Sequence, residues 1–176
     1  MGIEQGFIQE AVKRFKVYKD LGDKTFAQLS VADFFYRPSP DSNNIAIIIQ
    51  HLYGNMLSRW TNLLTEDGEK EWRSRDKEFV QADAGKEDLI SFWNTGWNCL
   101  LSTLQSLQPE DLTKIIYIRT EPLTVYSAIL RQLAHYPHHV GQIITIARLI
   151  KDKEWQSLSI EKGKSEQFNL QMKQSH

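Results

Sequence analysis

The sequence predicts an all-α fold, a four-helix bundle with a short β-hairpin before the last helix. Apolar residues recur every three or four positions in four long segments, the spacing of helices that bury one face. A β-branched and aromatic stretch before the last segment predicts the hairpin. The chain has 176 residues, 41% of them hydrophobic and 24% charged, which is typical of one globular domain. Four amphipathic helices of this length need a shared core, and a bundle provides one.

The first two helices are separated by a segment that contains prolines. Helix one is predicted from about residue 3 to 29, because apolar residues recur along it at helical spacing: Phe7, Ile8, Ala11, Phe15, Tyr18 and Phe26. Pro38 and Pro40 interrupt helical structure, and Ser42 or Asn43 then offers an N-cap for helix two. Helix two is predicted to reach about Leu64, with a stripe of Ile45, Ile48, Ile49, Leu52, Met56, Trp60 and Leu63.

The third and fourth helices flank the predicted hairpin. Helix three begins near Lys86, and its apolar seam follows steps of four and three: Leu89, Trp93, Trp97, Leu100, Leu104 and Leu107. This spacing suits helix packing, so these tryptophans and Trp60 are interpreted as core residues rather than as a cofactor-binding cluster. Residues 113–119 form the predicted strand, and 121–123 pair back onto it. Thr124 caps helix four, which runs from about Val125 to Lys151.

Two stretches lack helical periodicity. Residues 66–85 predict a long polar loop, and long loops in compact domains often serve as lids or binding segments. The functional interpretation of this loop is a lid whose Arg73 or Arg75 meets an anionic group of a substrate. The alternative is a solvated face whose ion pairs contribute little. Residues 156–176 are predicted to form a polar C-terminal tail beyond a bundle of residues 1–155.

Charge and cysteine content exclude several classes of function. The 21 basic and 22 acidic residues give a formal charge of −1, so nothing indicates binding to nucleic acid or to a membrane surface. No signal peptide is visible, and the aliphatic run 45–49 is too short to span a bilayer, so a cytoplasmic location is expected. Cys99 is the only cysteine, which excludes a disulfide framework, and no basic neighbour in the local sequence activates it.

The most informative cluster is His135-Tyr136-Pro137-His138-His139 in helix four. Residues four apart lie on one helical face, so His135 and His139 can direct both imidazoles to one point. On a wheel of about 100° per residue, His138 falls on a polar arc and is interpreted as a surface residue. Pro137 removes a backbone donor and favours a kink between the paired histidines. The alternative to a metal site is a pair of hydrogen-bonded or surface histidines.

A metal site needs a third ligand, and His51 is the candidate on another helix, since His176 is terminal. His51 lies at the margin of the apolar stripe of helix two, with Asn55 and Arg59 following on the same flank. A polar strip beside a core suits a water-filled cavity, but the pattern alone does not direct His51 inward. No residue stands out as a general base, so the sequence identifies no catalytic residue.

Two sequence segments lie at the centre of a family resemblance: Ile48-Ile49-Gln50-His51-Leu52 in helix two, and His135-x-x-x-His139-x-Gly141-Gln142 in helix four. With a third helix and a hairpin between them, they resemble the DinB-like (DinB/YfiT-like) superfamily of metal-binding four-helix bundles. The resemblance extends from helix one to about residue 151. The segments Gly54-Asn55-x-x-Ser58-Arg59-Trp60 and Asp67-Gly68-Glu69-Lys70-x-x-Arg73-x-Arg75-Asp76 resemble a branch whose function is unassigned.

The resemblance implies that His51, His135 and His139 hold one divalent metal ion, with zinc and nickel the leading metals. It also implies a homodimer, because relatives often pair through their helices. Some relatives are thiol S-transferases that use bacillithiol or mycothiol. The leading hypothesis is therefore a metal-dependent transferase that joins a small thiol to a small electrophilic substrate. The alternatives are a metal-dependent hydrolase and a non-catalytic protein that binds metal or dimerises.

Three further polar residues, Gln142, Asn55 and Arg59, are candidates for contact with the histidines or with a substrate. Histidine ligands usually need a hydrogen-bond partner at the nitrogen that does not bind the metal. Simple polar packing is the alternative interpretation for all three.

Overall fold

The computed structural model describes residues 2–80 and 83–174, which form four long helices, a hairpin and a shorter C-terminal helix. The helices are α1 (Ile3–Phe26), α2 (Ile45–Trp60), α3 (Lys86–Ser106), α4 (Val125–Lys151) and α5 (Ser165–Gln174). The antiparallel strands β1 (Ile115–Ile118) and β2 (Glu121–Thr124) lie before α4. Short 3₁₀ helices lie at Ala32–Phe35, Asp76–Phe79, Pro109–Thr113 and Asp152–Glu154. The predicted all-α bundle with a hairpin before the last long helix is confirmed.

Capping side chains explain where two of the helices begin. The Asn44 side chain accepts a hydrogen bond from the Ile47 amide at 2.9 Å, so α2 begins after Asn44. The prediction of Ser42 or Asn43 as the N-cap is wrong, because adjacent polar residues all have capping chemistry and only the backbone geometry selects one. Thr124 caps α4 as predicted, since its side chain accepts from the backbone amide three residues later.

α1 and α2 end earlier than their apolar patterns predict. α1 ends at Phe26 rather than near residue 29, because the amides of Gln28 and Leu29 bond to carbonyls three residues back instead of four. α2 ends at Trp60 rather than at Leu64, because Asn62 has a φ of 52°, in the left-handed region that stops a helix. Leu63 is nevertheless buried, which explains why the apolar stripe continues past the end of the helix.

Aromatic side chains fill the bundle, in which α2 packs on α3 and α1 packs on α4. The tryptophans interpreted as core residues are all buried: Trp60, Trp93 and Trp97. The Trp93 indole N–H donates to Asp23 Oδ1 at 2.8 Å, and the Trp60 indole N–H donates to the Tyr136 hydroxyl at 2.9 Å. α1 approaches α3 closely at Gly22, where a Cβ atom would lie only 2.2 Å from Trp93 Cζ2.

Asp67 connects the segment after α2 to the turn of the hairpin through hydrogen bonds. The turn consists of Arg119 and Thr120, whose φ angles of 56° and 64° are those of a turn that usually contains Asn or Gly. The Asp67 carboxylate accepts hydrogen bonds from the backbone amides of Arg119 at 2.9 Å, Thr120 at 2.8 Å and Glu69 at 2.7 Å. The predicted loop after α2 is therefore held against the rest of the protein at its start.

The C-terminal segment lies outside the bundle core. α5 has no buried residue, and its apolar side chains Phe168, Leu170 and Met172 are exposed. The boundary at residue 155 stays a prediction, and His176 lies outside the described residues. Among the helices of residues 2–80 and 83–174, none combines the length and apolar character needed to cross a bilayer.

Candidate metal centre

Three histidine side chains from two helices meet at one point. α2 carries His51, which is 5% exposed, and α4 carries His135 and His139, which are partly buried. The Nε2 atoms of His51 and His135 lie 3.4 Å apart, and those of His135 and His139 lie 3.1 Å apart. One ring nitrogen from each histidine lies within 4.8 Å of the other two. Pro137 does not separate the pair, because it lies inside one continuous helix.

The distances between these nitrogens fit three ligands of one metal ion. Tetrahedral coordination at about 2.0–2.1 Å places two ligand nitrogens roughly 3.3–3.4 Å apart. The separations of 3.4 Å and 3.1 Å are close to that value. The sequence pattern left the direction of His51 open, and the structure turns its ring toward the two histidines of α4.

A side-chain oxygen lies at the other nitrogen of each ring. The three contacts are His51 Nδ1 to Glu78 Oε2 (2.9 Å), His135 Nδ1 to Gln132 Oε1 (3.1 Å) and His139 Nδ1 to Gln142 Oε1 (2.7 Å). An oxygen acceptor at Nδ1 favours the tautomer that carries hydrogen there, which leaves a lone pair on each Nε2. Lone pairs at these distances repel one another unless a cation lies between them. The residues therefore fit a divalent ion.

Burial keeps the two α4 histidines in the neutral form that binds metals. Burial, together with the neighbouring histidines His139 and His51, lowers the pKa of His135 to about 3. Burial also lowers the pKa of His139 to about 4, although the hydrogen bond with Gln142 opposes this change. Because metal ligation requires an unprotonated imidazole, both rings are ready to bind an ion at neutral pH.

Glu78 remains ionised beside His51. Burial raises the pKa of Glu78, but hydrogen bonds from Arg73 and His51 outweigh burial and hold this pKa below its ordinary value. Arg73 donates from Nε to Oε1 at 2.7 Å and from Nη2 to Oε2 at 2.9 Å, a bidentate pair. Gly54 leaves room for the carboxylate, because a Cβ atom there would lie 2.3 Å from Glu78 Oε1.

A cavity of 340 Å³ borders the three histidine rings. It is lined by four of the residues predicted to contact ligands or substrate: Asn55, Arg59, Arg73 and Arg75. Arg119, Arg131, Gln132 and Phe79 complete the lining, and Cys99 is not part of it. Gln142, the fifth predicted contact residue, instead lies at His139 Nδ1. The cavity makes the three rings accessible to a small molecule.

Asn55 and Arg59 line the cavity but are also held by protein partners. Asn55 Oδ1 accepts a hydrogen bond from the Tyr136 hydroxyl at 3.0 Å. Arg59 donates to the Gly68 carbonyl and, from both terminal nitrogens, to Glu69 Oε2 at 3.1 Å. Both side chains therefore have the packing role that the sequence left as the alternative, and both face the cavity.

Comparison with known proteins identifies the family. Residues 2–164 match the family model described as "Protein of unknown function (DUF1572)". The chain belongs to the DUF1572 family. This DUF1572 protein is also similar to a conserved protein from Enterococcus faecalis of known crystal structure, with a TM-score of 0.63 and 17% sequence identity, covering 86% of this chain and 99% of the other. At that identity the likeness shows the fold alone. The comparison with curated proteins gives no match.

Two side chains that orient the histidines of the DUF1572 protein were not predicted from the sequence. Gln132 precedes its histidine by three residues, as Gln142 follows its histidine by three, so a helical wheel could have identified it. Glu78 gave no such signal, because it lies 27 residues from His51 in a segment without periodicity. Only the folded chain brings that carboxylate to α2.

Proposed function

We propose that this protein is a DinB-like metalloprotein that holds one divalent ion, zinc or nickel, on His51, His135 and His139. The observation that supports the proposal is the convergence of three Nε2 atoms whose rings are each engaged at Nδ1 by an oxygen. The order of helices and the hairpin before α4 agree with the DinB-like resemblance.

We further propose that the centre is catalytic and that it transfers a small thiol to an electrophilic small molecule. Three neutral imidazoles leave a coordination position open, as in catalytic rather than structural sites. A divalent ion in such a site deprotonates a coordinating thiol and lowers the pKa of bound water. The chain contributes three oriented imidazoles and a cavity that admits a small substrate. In the transfer, the thiol would lose its proton to solvent and its sulfur would bond to a carbon of the electrophile. The bond from that carbon to the leaving group would break, and the leaving group would depart with the electron pair.

Elemental analysis of the purified protein tests the metal centre. The wild type is expected to carry one equivalent of metal, and His51→Ala, His135→Ala and His139→Ala are each expected to carry much less. Loss of a ligand should lower the metal affinity by at least about 100-fold, more than the loss of a residue that only hydrogen-bonds to a ligand. His138→Ala is the matched control, because His138 neighbours the site in sequence but is exposed and outside the cluster. A metal-free wild type at neutral pH, or equal losses in His138→Ala, would reject the site.

Activity assays separate the reaction classes. Thiol transfer is expected with the wild type and His138→Ala and is expected to stop in His135→Ala. Turnover that survives His135→Ala would reject the transferase proposal. Product formation without added thiol would instead support a metal-dependent hydrolase, and bound metal without turnover would support a non-catalytic metal-binding protein.

We also propose that the protein is a cytoplasmic homodimer. The exposed apolar side chains of α5 support a partner for the C-terminal segment: Phe168, Leu170 and Met172 are 41%, 60% and 44% exposed. Light scattering should give a dimer mass at micromolar concentration, and a monomer mass would reject the dimer.

A further inference from the structure

The lining of the cavity beside the three histidines is strongly basic. It includes five arginines and no carboxylate among the described residues: Arg59, Arg73, Arg75, Arg119 and Arg131. Two carboxylates behind the lining partly balance them, because Glu69 hydrogen-bonds to Arg59 and Arg119, and Glu78 to Arg73. Two carboxylates cannot neutralise five guanidinium groups. We propose that this cavity binds an anionic group of the substrate, a phosphate or a carboxylate, through Arg73, Arg75 and Arg131.

Arg73 offers a buried donor that the protein leaves unused. Its side chain is only 2% exposed, and its Nε and Nη2 are occupied by Glu78. Its Nη1 is buried and has no hydrogen-bond partner; Glu69 Oε2 lies 3.8 Å away, too far for a hydrogen bond. Buried donors are rarely left unpaired in folded proteins. An anion in the cavity would supply the missing acceptor.

Arg75 and Arg131 approach the same cavity from two different elements. Arg75 lies in the segment between α2 and α3, and its Cζ lies 5.4 Å from the centre of the Phe79 ring. The centre of that ring lies 4.9 Å from the centre of the His51 ring. Arg131 lies one helical turn before His135 on α4. Within residues 2–80 and 83–174, neither of these two guanidinium groups forms a hydrogen bond or an ion pair, so both are available to a ligand.

The chemistry of these donors selects the ligand class. Planar guanidinium groups bind phosphate and carboxylate oxygens through paired N–H donors. A cavity of 340 Å³ suits a small molecule rather than a polymer. A metal ion on the histidines would add positive charge to the same space. The inference rests on the proposed function only for the kind of reaction that the anionic substrate undergoes. The positions of the arginines do not depend on a bound metal.

Calorimetric titration with inorganic phosphate, and separately with succinate, tests the inference on the full chain, both as purified and after treatment with a chelator. Arg131→Gln and Arg75→Gln are each expected to weaken binding of at least one probe by about 10-fold or more, the loss of one charge-assisted contact. Arg148→Gln is the matched control, because Arg148 is an exposed arginine of α4 outside the cavity, and it should bind as the wild type does. The probe that binds more tightly identifies the anionic group.

The outcomes distinguish this inference from the proposed metal centre. Anion binding that is lost after chelation, or that falls equally in Arg148→Gln, would overturn the inference and leave the metal centre standing. Absence of binding for both probes would overturn it as well. Anion binding that depends on Arg131 and Arg75 in a protein found to hold no metal would support the inference while the proposed function fails.

Discussion

Replacing Gly54 with alanine should weaken metal binding without altering a histidine. Gly54 lies on α2 three residues after His51, and Glu78 occupies the space where a side chain would project. A Cβ atom at this position would lie 2.3 Å from Glu78 Oε1 and 2.9 Å from its Cδ. Ordinary contacts of a Cβ atom begin at 3.4 Å, so the carboxylate must move by about 1 Å.

The magnitude follows from the bonds that this movement breaks. Glu78 accepts from Arg73 at 2.7 Å and 2.9 Å and from His51 at 2.9 Å, and a shift of about 1 Å takes at least one of these contacts beyond hydrogen-bond distance. A hydrogen bond to a charged group contributes about 1.5–3 kcal/mol, while the gain in helix propensity from glycine to alanine is about 1 kcal/mol. We expect a net loss of about 0.5–2 kcal/mol in the free energy of unfolding. Metal affinity should fall about 10- to 100-fold, the usual effect of losing an outer partner of a histidine ligand.

Competition with a chromophoric chelator measures the metal affinity, and urea denaturation measures the stability. Gly141→Ala is the matched control, because this glycine lies on α4 beside the site and a Cβ atom there would contact nothing within 4 Å. It should bind metal like the wild type and gain up to about 1 kcal/mol in stability. If Gly54→Ala binds metal as tightly as Gly141→Ala, the position of Glu78 does not control His51 and the reasoning fails.

Three further predictions concern the scaffold. Gly22→Ala should destabilise the bundle by about 1–3 kcal/mol in urea denaturation, because its Cβ atom would lie 2.2 Å from Trp93 Cζ2; Gly6→Ala on the same helix meets nothing within 4 Å and should not destabilise it. Burial raises the pKa of Asp67, but hydrogen bonds from backbone amides hold that pKa below its ordinary value, so its contribution to stability is complete at neutral pH and is lost as the pH falls through the lowered value. Asp67→Asn should therefore be less stable than the wild type at pH 7, with a gap that narrows toward about pH 3; a constant gap would contradict this. Thr120→Gly should raise stability by about 0.5–1 kcal/mol in thermal denaturation, since glycine adopts a φ of 64° without strain, and a lower melting temperature would contradict it.

The helical pattern predicted most of the fold, because most of the apolar residues that recur every three or four positions in the long helices are buried in the core. The limits of α4 agree with the structure, since Thr124 is the one capping residue at its start and the apolar spacing continues to Lys151. The end of α2 could not be predicted from the apolar pattern, because Leu63 is buried although it lies beyond the helix. An apolar residue can contact the core from a turn, and periodicity alone does not separate the two cases.

The candidate site was predictable where it depends on a single helix and was not predictable where it depends on the packing of distant segments. His135 and His139 lie four residues apart, so helical geometry alone brings them to one face. The direction of His51 depends on how α2 packs, and its wheel position left this open. Glu78 reaches His51 through a segment tied down elsewhere by Asp67, a constraint that no local pattern encodes.

Residues 73–79 form a wall of the cavity, because Arg73, Arg75 and Phe79 line it. The same short stretch carries Glu78, the partner of His51. Any opening of this wall would release the hydrogen bond on His51 and remove two of the arginines at the same moment. One short stretch of chain therefore serves both the proposed metal centre and the proposed anion site, and a change that displaces it should weaken the two together.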